Sequence, residues 1–189
     1  MVSKFNFKIE SELPCSKLSK ANNLNDFLSL CNHIKKLPYG RTKNRSDYVS
    51  VLKENKGTCS TKHAFLKQVA IENNQDKVLL FIGIYKMNNS NTKGVGDVLQ
   101  QNNLEYIPEA HTYLKINNTT LDITRSTTSG ESFKNVLLVE TEILPNDIGD
   151  FKIEFHKNYI KQWLLNDNLN HKFEDIWHIR ELCIAALST

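Results

Sequence analysis

The sequence holds few of the residues that mark non-globular chains. Only 7 glycines and 4 prolines occur in 189 positions, which excludes collagen-like and low-complexity architectures, and 40% hydrophobic against 24% charged residues excludes a mostly disordered chain. No apolar run approaches the roughly 18 residues of a bilayer span. The opening Met1-Val2-Ser3-Lys4-Phe5-Asn6-Phe7-Lys8 lacks the apolar block of a signal peptide. A soluble, cytoplasmic protein with no membrane partner is expected. Charge of one sign is also scarce: 24 basic against 21 acidic side chains leave +3, too little for a polyanion-binding field, so nucleic acid is not an expected partner. The 4 cysteines, Cys15, Cys31, Cys59 and Cys183, form no CxxC pair, which argues against a zinc ribbon or a disulfide framework and for reduced thiols. No acidic loop has calcium-ligand spacing, and no cofactor or metal is expected. Asn-x-Ser/Thr triplets at Asn44, Asn88, Asn117 and Asn118 carry no weight in a chain this rich in asparagine.

The length suits one domain over residues 1–189, with no internal repeat and no dividing linker. Leu24, Phe27, Leu28, Cys31 and Ile34 recur at helical spacing, and Pro38 ends that helix. Ser46 is read as the N-cap of a short helix carrying Tyr48, Val51 and Leu52. A third helix runs from Thr58 or Cys59 to Glu72 on a face of Phe65, Leu66, Val69 and Ala70. Val78 to Tyr85 fits a buried central strand. Asn88 to Lys93 reads as a loop, and His111–Ile116 and Thr119–Thr124 as a hairpin turning on Asn117-Asn118. Phe133 to Ile143 is a further strand. Two helical stripes follow, Tyr159, Ile160, Trp163 and Leu164, then Phe173, Ile176, Trp177 and Ile184, with both tryptophans assigned to the core. Helices and antiparallel strands segregated along the chain predict an α+β fold, with N-terminal helices packed on an antiparallel sheet and C-terminal helices capping it.

The most informative stretch for chemistry is Asn55-Lys56-Gly57-Thr58-Cys59-Ser60-Thr61-Lys62-His63. A cysteine at a helix N-terminus meets unpaired backbone N–H groups that favour thiolate over thiol and can stabilise an oxyanion. If Asn117-Asn118 is a two-residue turn, paired residue numbers sum to 235, so Tyr113 faces Asp122 and His111 faces Thr124. His111 and Asp122 then share one face as diagonal neighbours, while Leu114, Ile116, Leu121 and Ile123 turn the other face to the core. A thiol, an imidazole and a carboxylate are the parts of a nucleophile, base and orienter set.

Gly57-Thr58-Cys59-Ser60-Thr61, followed by His111-Thr112-Tyr113-Leu114 and Leu121-Asp122-Ile123-Thr124, resembles the transglutaminase-like core of the papain-like thiol enzyme superfamily. The resemblance covers residues 55–124. It implies a Cys, His, Asp order along the chain, with the cysteine opening a helix packed on a sheet and the other two on adjacent strands. Cys59 would be the nucleophile, His111 the general base and acid, and Asp122 the group orienting the imidazole. Many members have Trp two places after the histidine and an aromatic shortly before the aspartate, where this chain has Tyr113 and Leu121. Substrate preference is therefore not inherited from any one member. The resemblance implies a hydrolase or acyltransferase acting on a protein, peptide or small amide through a thioester. Because related domains include versions without catalysis, a binding module for a protein or peptide is the alternative.

Other residues carry smaller expectations. His63 follows Cys59 by one helical turn, and a zinc site of Cys59, His63, His111 and Asp122 is set aside because its spacing matches no closed motif. Tyr39, in Leu37-Pro38-Tyr39-Gly40-Arg41, could offer its hydroxyl to an oxyanion or substrate, though a packed turn tyrosine is the simpler reading. Lys35, Lys36, Arg41, Lys43 and Arg45 read as a solvated basic loop.

Overall fold

The structure, a computed structural model, describes residues 5–125, 133–167 and 171–187. Residues 1–4, part of the opening stretch read above for its lack of an apolar block, lie outside the described residues. The fold is α+β. Its helices are α1 (Pro14–Ala21), α2 (Phe27–Lys36), α3 (Ser50–Lys53), α4 (Cys59–Glu72), α5 (Gly96–Gln101), α6 (Asp150–Asn166) and α7 (Phe173–Ala186). The strands β1 (Val78–Met87), β2 (Ile107–Ile116), β3 (Thr119–Leu121) and β4 (Leu137–Ile143) form one antiparallel sheet in the order β3-β2-β1-β4. Among the described residues no helix is long and apolar enough to cross a membrane.

The scarcity of glycine has a structural counterpart. Among the described residues, the non-glycine residues with positive φ are all asparagines: Asn23, Asn55, Asn74, Asn103, Asn117 and Asn118. Asparagine tolerates the left-handed region because its short amide bonds locally. Three helices end on Asn-Asn pairs, Asn22-Asn23, Asn73-Asn74 and Asn102-Asn103, whose second member turns left-handed. Each end makes the same two backbone bonds. After α1, Asn23 N–H donates to Lys20 O and Leu24 N–H to Ser19 O, and the pattern repeats after α4 and α5. A fourth pair, Asn117-Asn118 with φ of 48° and 62°, makes the tight β2–β3 turn.

Helix α4 lies at the centre, buried on all sides at Cys59 through Lys67, which explains why its apolar residues form no narrow stripe. It packs against α1 and α2 on one side and β1 and β2 on the other. Its polar side chains satisfy buried carbonyls. Lys62 Nζ donates to Leu37 O (2.7 Å) and Thr124 O (2.8 Å), and Lys67 Nζ donates to Val78 O (2.7 Å). The second sheet face is covered by α6 and α7 around a separate apolar cluster that includes Tyr113, Ile160, Trp163, Ile176 and Cys183. The hairpin face bearing His111 is therefore roofed by helices rather than open to solvent.

Several boundaries differ from the sequence reading, each for a local reason. The short helix begins at Ser50, because Asp47 rather than Ser46 organises its start: Val49 N–H donates to Asp47 Oδ1 and Ser50 Oγ to Asp47 Oδ2. Strand β2 starts at Ile107, earlier than His111, and β1 runs on to Met87 beside it. The segment after Phe133 opens with a 3₁₀ turn over Lys134–Val136, so β4 begins only at Leu137. Helices α1 and α5 lie outside the helices that the sequence pattern predicts. Trp163 is buried, whereas Trp177 is only partly so.

Candidate active site

Thr58 is the N-cap of α4, and Thr61 Oγ1 accepts the Thr58 N–H (3.0 Å), which fixes Cys59 as the first helical residue. Gly57 lets the preceding chain pass close to that turn. It donates to Pro38 O (3.1 Å), its own carbonyl accepts from Gly40 N–H (3.2 Å), and Tyr39 pairs with it in an isolated bridge. A Cβ at Gly57 would lie 2.8 Å from Val51 Cγ2 and 2.9 Å from Thr61 Oγ1. Gly57→Ala is therefore expected to destabilise the protein by about 1–3 kcal/mol by forcing the cap and Val51 apart. Urea denaturation checks this, and a loss under about 0.5 kcal/mol would show that the close approach relaxes freely.

The hairpin has the expected register, with Ile116 opposite Thr119 and Leu114 opposite Leu121. Asp122 follows immediately after β3 and is held by Thr124, whose N–H (2.9 Å) and hydroxyl (2.5 Å) both donate to Oδ1. The other oxygen, Oδ2, accepts from His111 Nε2 at 2.8 Å. With Nε2 committed to the carboxylate, Nδ1 is the ring nitrogen left free of Asp122, and His111 and Cys59 line the same cavity and shift each other's protonation toward the charged forms. Phe133 lies 4.8 Å from the imidazole between ring centroids, shielding it from water. The structure thus brings Cys59, His111 and Asp122 together.

Electrostatics separate this thiol from the rest. Burial alone would raise Cys59, but the Lys152 ammonium, the hydrogen bond and charge of His111, and the Thr112 backbone outweigh it and bring Cys59 down to about 6. Burial would lower His111, but the Asp122 charge and hydrogen bond, reinforced by Cys59, lift it to about 10. Burial works against Asp122 too, yet His111, His63 and Thr124 hold it well below the usual carboxylate range. Both shifts favour the thiolate and imidazolium form of the pair. Burial pushes Cys15 up to about 12 and Cys183 to about 11, and it raises Cys31 as well.

Three further features complete the site; Lys152 and the Glu109–Arg180 clamp have no signal in sequence spacing, whereas His63 stands one helical turn from Cys59. Lys152, on α6, donates to Ser60 Oγ (2.7 Å) and stands 3.7 Å from Cys59 Sγ. His63 ties the backbone at Cys59 to the backbone beside Asp122: Ile123 N–H donates to Nε2 (2.9 Å), so the ring proton sits on Nδ1 and is donated to Cys59 O (2.8 Å). Burial, only partly offset by Asp122, keeps His63 neutral, lowered to about 4. Both its nitrogens are engaged within the fold, which gives it a positioning role and leaves none for a metal. Third, Glu109, two residues before His111, is clamped by Arg180 of α7, Nε to Oε2 at 2.7 Å and Nη2 to Oε1 at 2.6 Å.

Two cavities meet at Cys59. One, about 770 Å³, opens on the Lys152 side and reaches Thr58, Trp177 and the segment from Arg41 to Ser46. The other, about 510 Å³, opens on the His111 side between Tyr85, Phe133 and the loop at Asn91 and Thr92. Tyr39, Cys59, Glu109 and Ile184 line both. Tyr39 is thus a wall of the candidate site and not only a packed turn residue, its ring faced by Arg125 at 4.4 Å. Burial raises its hydroxyl, which stays protonated and able to donate. Of the basic residues near it, Arg41, Lys43 and Arg45 line the larger cavity, while Lys35 and Lys36 do not.

No family model, no curated protein and no solved structure matches this chain.

Proposed function

We propose that this protein is a thiol enzyme with a transglutaminase-like core that cleaves or transfers an acyl group through a thioester on Cys59. The supporting observation is the imidazole of His111, bonded to Asp122 through Nε2 and lining one cavity together with Asp122 and the Cys59 thiol. In this reading the Cys59 thiolate attacks the carbonyl carbon of an amide, forming the C–S bond. The first N–H groups of α4 receive the developing oxyanion. As the C–N bond breaks, His111 passes its proton to the leaving nitrogen, and Asp122 keeps the ring oriented throughout. Water or a second amine then adds to the thioester, giving its proton to His111, and sulfur leaves as thiolate. The chain's own residues supply every proton transfer in this scheme.

Mapping of the thiols tests it. At pH 7 a thiol titrating near 6 is mostly thiolate, whereas one near 11 or 12 is almost entirely protonated. Iodoacetamide in limiting amount should therefore modify Cys59 alone in the folded protein, read by mass spectrometry of its peptides. Labelling spread evenly over Cys15, Cys31, Cys59 and Cys183, or slow at all of them, would reject the enzyme and favour a non-catalytic binding module.

A further inference from the structure

The two cavities that meet at Cys59 differ in charge. The larger is lined by six cationic side chains, Arg41, Lys43, Arg45, Lys152, Lys157 and Arg180, against three acidic ones, Glu109, Asp150 and Glu181. Its histidine, His156, is kept neutral by burial. Arg180 is consumed by Glu109 and Glu181, and Arg41 by Glu181. Lys43 and Arg45, both exposed at the rim, form no ion pair among the described residues. The smaller cavity sets Lys93, Arg125 and the His111 imidazolium against Glu109 and Asp122, a smaller excess of positive charge, and Tyr85, Met87, Phe133 and Leu187 give it an apolar wall.

The direction of the reaction follows from the position of the acid. A leaving nitrogen has to take its proton from His111, which lines only the smaller cavity, so the leaving group occupies that side. The acyl part bonded to sulfur is then left on the side of Lys152, Lys43 and Arg45. We infer that the acyl donor carries negative charge, with its anionic group held in the larger cavity toward Lys43 and Arg45 and its amine or amide half in the apolar cavity beside His111. This inference rests on the thiol-enzyme reading of Cys59. The chemistry balances as before: the C–S bond replaces the C–N bond, the His111 proton leaves on the amine, and water or a second amine entering from the His111 side regenerates the thiolate.

Two alkylating agents of nearly equal size, anionic iodoacetate and neutral iodoacetamide, test it on the intact protein. Each displaces iodide with the Cys59 sulfur, and the ratio of their rates reports the charge preference around that atom. His111 and Lys152 raise the ratio locally, so the decisive comparison is with Lys43→Ala/Arg45→Ala. Removing two exposed cations that serve a bound anion should lower the iodoacetate to iodoacetamide ratio about five-fold, equivalent to about 1 kcal/mol for charges acting across a wet cavity. The same change at Lys35→Ala/Lys36→Ala, whose residues lie outside the cavity, should leave the ratio within about two-fold because such charges are screened. A ratio unmoved by the Lys43 and Arg45 substitutions, or moved equally by those at Lys35 and Lys36, would overturn the anionic acyl donor and leave the thiol enzyme standing. Slow reaction of Cys59 with both reagents in the unmodified sequence would overturn both.

Discussion

Asp122→Asn is expected to move the pH dependence of Cys59 alkylation upward from its midpoint near 6 while leaving the protein folded. The carboxylate is the main force lifting His111 to about 10, and His111 in turn is one of the two groups that lower Cys59 most strongly. Removing the charge frees the imidazole to lose its proton at lower pH, and an uncharged ring no longer stabilises a thiolate. Lys152 remains, so the thiol stops short of its free value of about 8.5. A rise of one to two units cuts the thiolate fraction at pH 6 by about 5- to 50-fold and leaves it nearly complete at pH 9. Alkylation should fall at pH 6 and recover at pH 9, but turnover should stay low at both, because the ring is no longer held as an acid. The asparagine can keep the Thr124 N–H bond to Oδ1, which protects the fold. A folded Asp122→Asn protein with an unmoved alkylation profile would remove Asp122 from the site even if Cys59 proved reactive.

Much of that geometry was legible because it is local or set by register. A two-residue turn of Asn117-Asn118 fixes every pair in the hairpin, so the meeting of His111 and Asp122 followed from counting residues. The start of α4 at Cys59 was legible from Gly57-Thr58 for the same reason, since a cap and its helix are adjacent in sequence. Helix α1 carries one start signal, Pro14 at its first position, but its N-cap, Leu13, makes no side-chain bond to reinforce it. Its end, Asn22-Asn23, was legible in principle, because the same pair closes α4 and α5.

The groups that decide the electrostatics of the thiol are not local. Lys152 lies 93 residues from Cys59 along the chain, and nothing in the Asp150–Asn166 helix distinguishes it from Lys157 or Lys161 before the helix is docked. Arg180 and Glu109 are 71 apart. Sequence spacing reports which residues share an element, whereas these pairings depend on how α6 and α7 are laid across the sheet. The mostly buried face of β2 was likewise read as the more polar side of a hairpin, because the roof that covers it comes from the far end of the chain.

That roof supplies the second large expectation. Arg180→Met should cost about 3–5 kcal/mol of stability, because it leaves the buried Glu109 carboxylate without its clamp. Glu109 is now held near 2, its burial opposed first by Arg180. Without the guanidinium, His156 at 3.9 Å and neutral, and Lys152, already committed to Ser60, cannot replace two short charge-assisted bonds. Burial then acts unopposed on the carboxyl and raises its folded pKa above the unfolded value, so the cost is full at high pH and shrinks as pH falls and the carboxyl takes up a proton. Urea denaturation of Arg180→Met should therefore show a larger loss at pH 8 than at pH 5. Adding Glu109→Gln should restore a large part of the loss at pH 8, since an amide buried beside methionine carries no uncompensated charge. Because Glu109 lines both cavities and Arg180 the larger, the same variant should open the site at Tyr39 and Ile184, and Cys59 should react faster with bulky neutral electrophiles. A loss below about 1 kcal/mol, equal at both pH values, would mean that the pair behaves as a screened surface contact and that α7 is held over Cys59 by its apolar face alone.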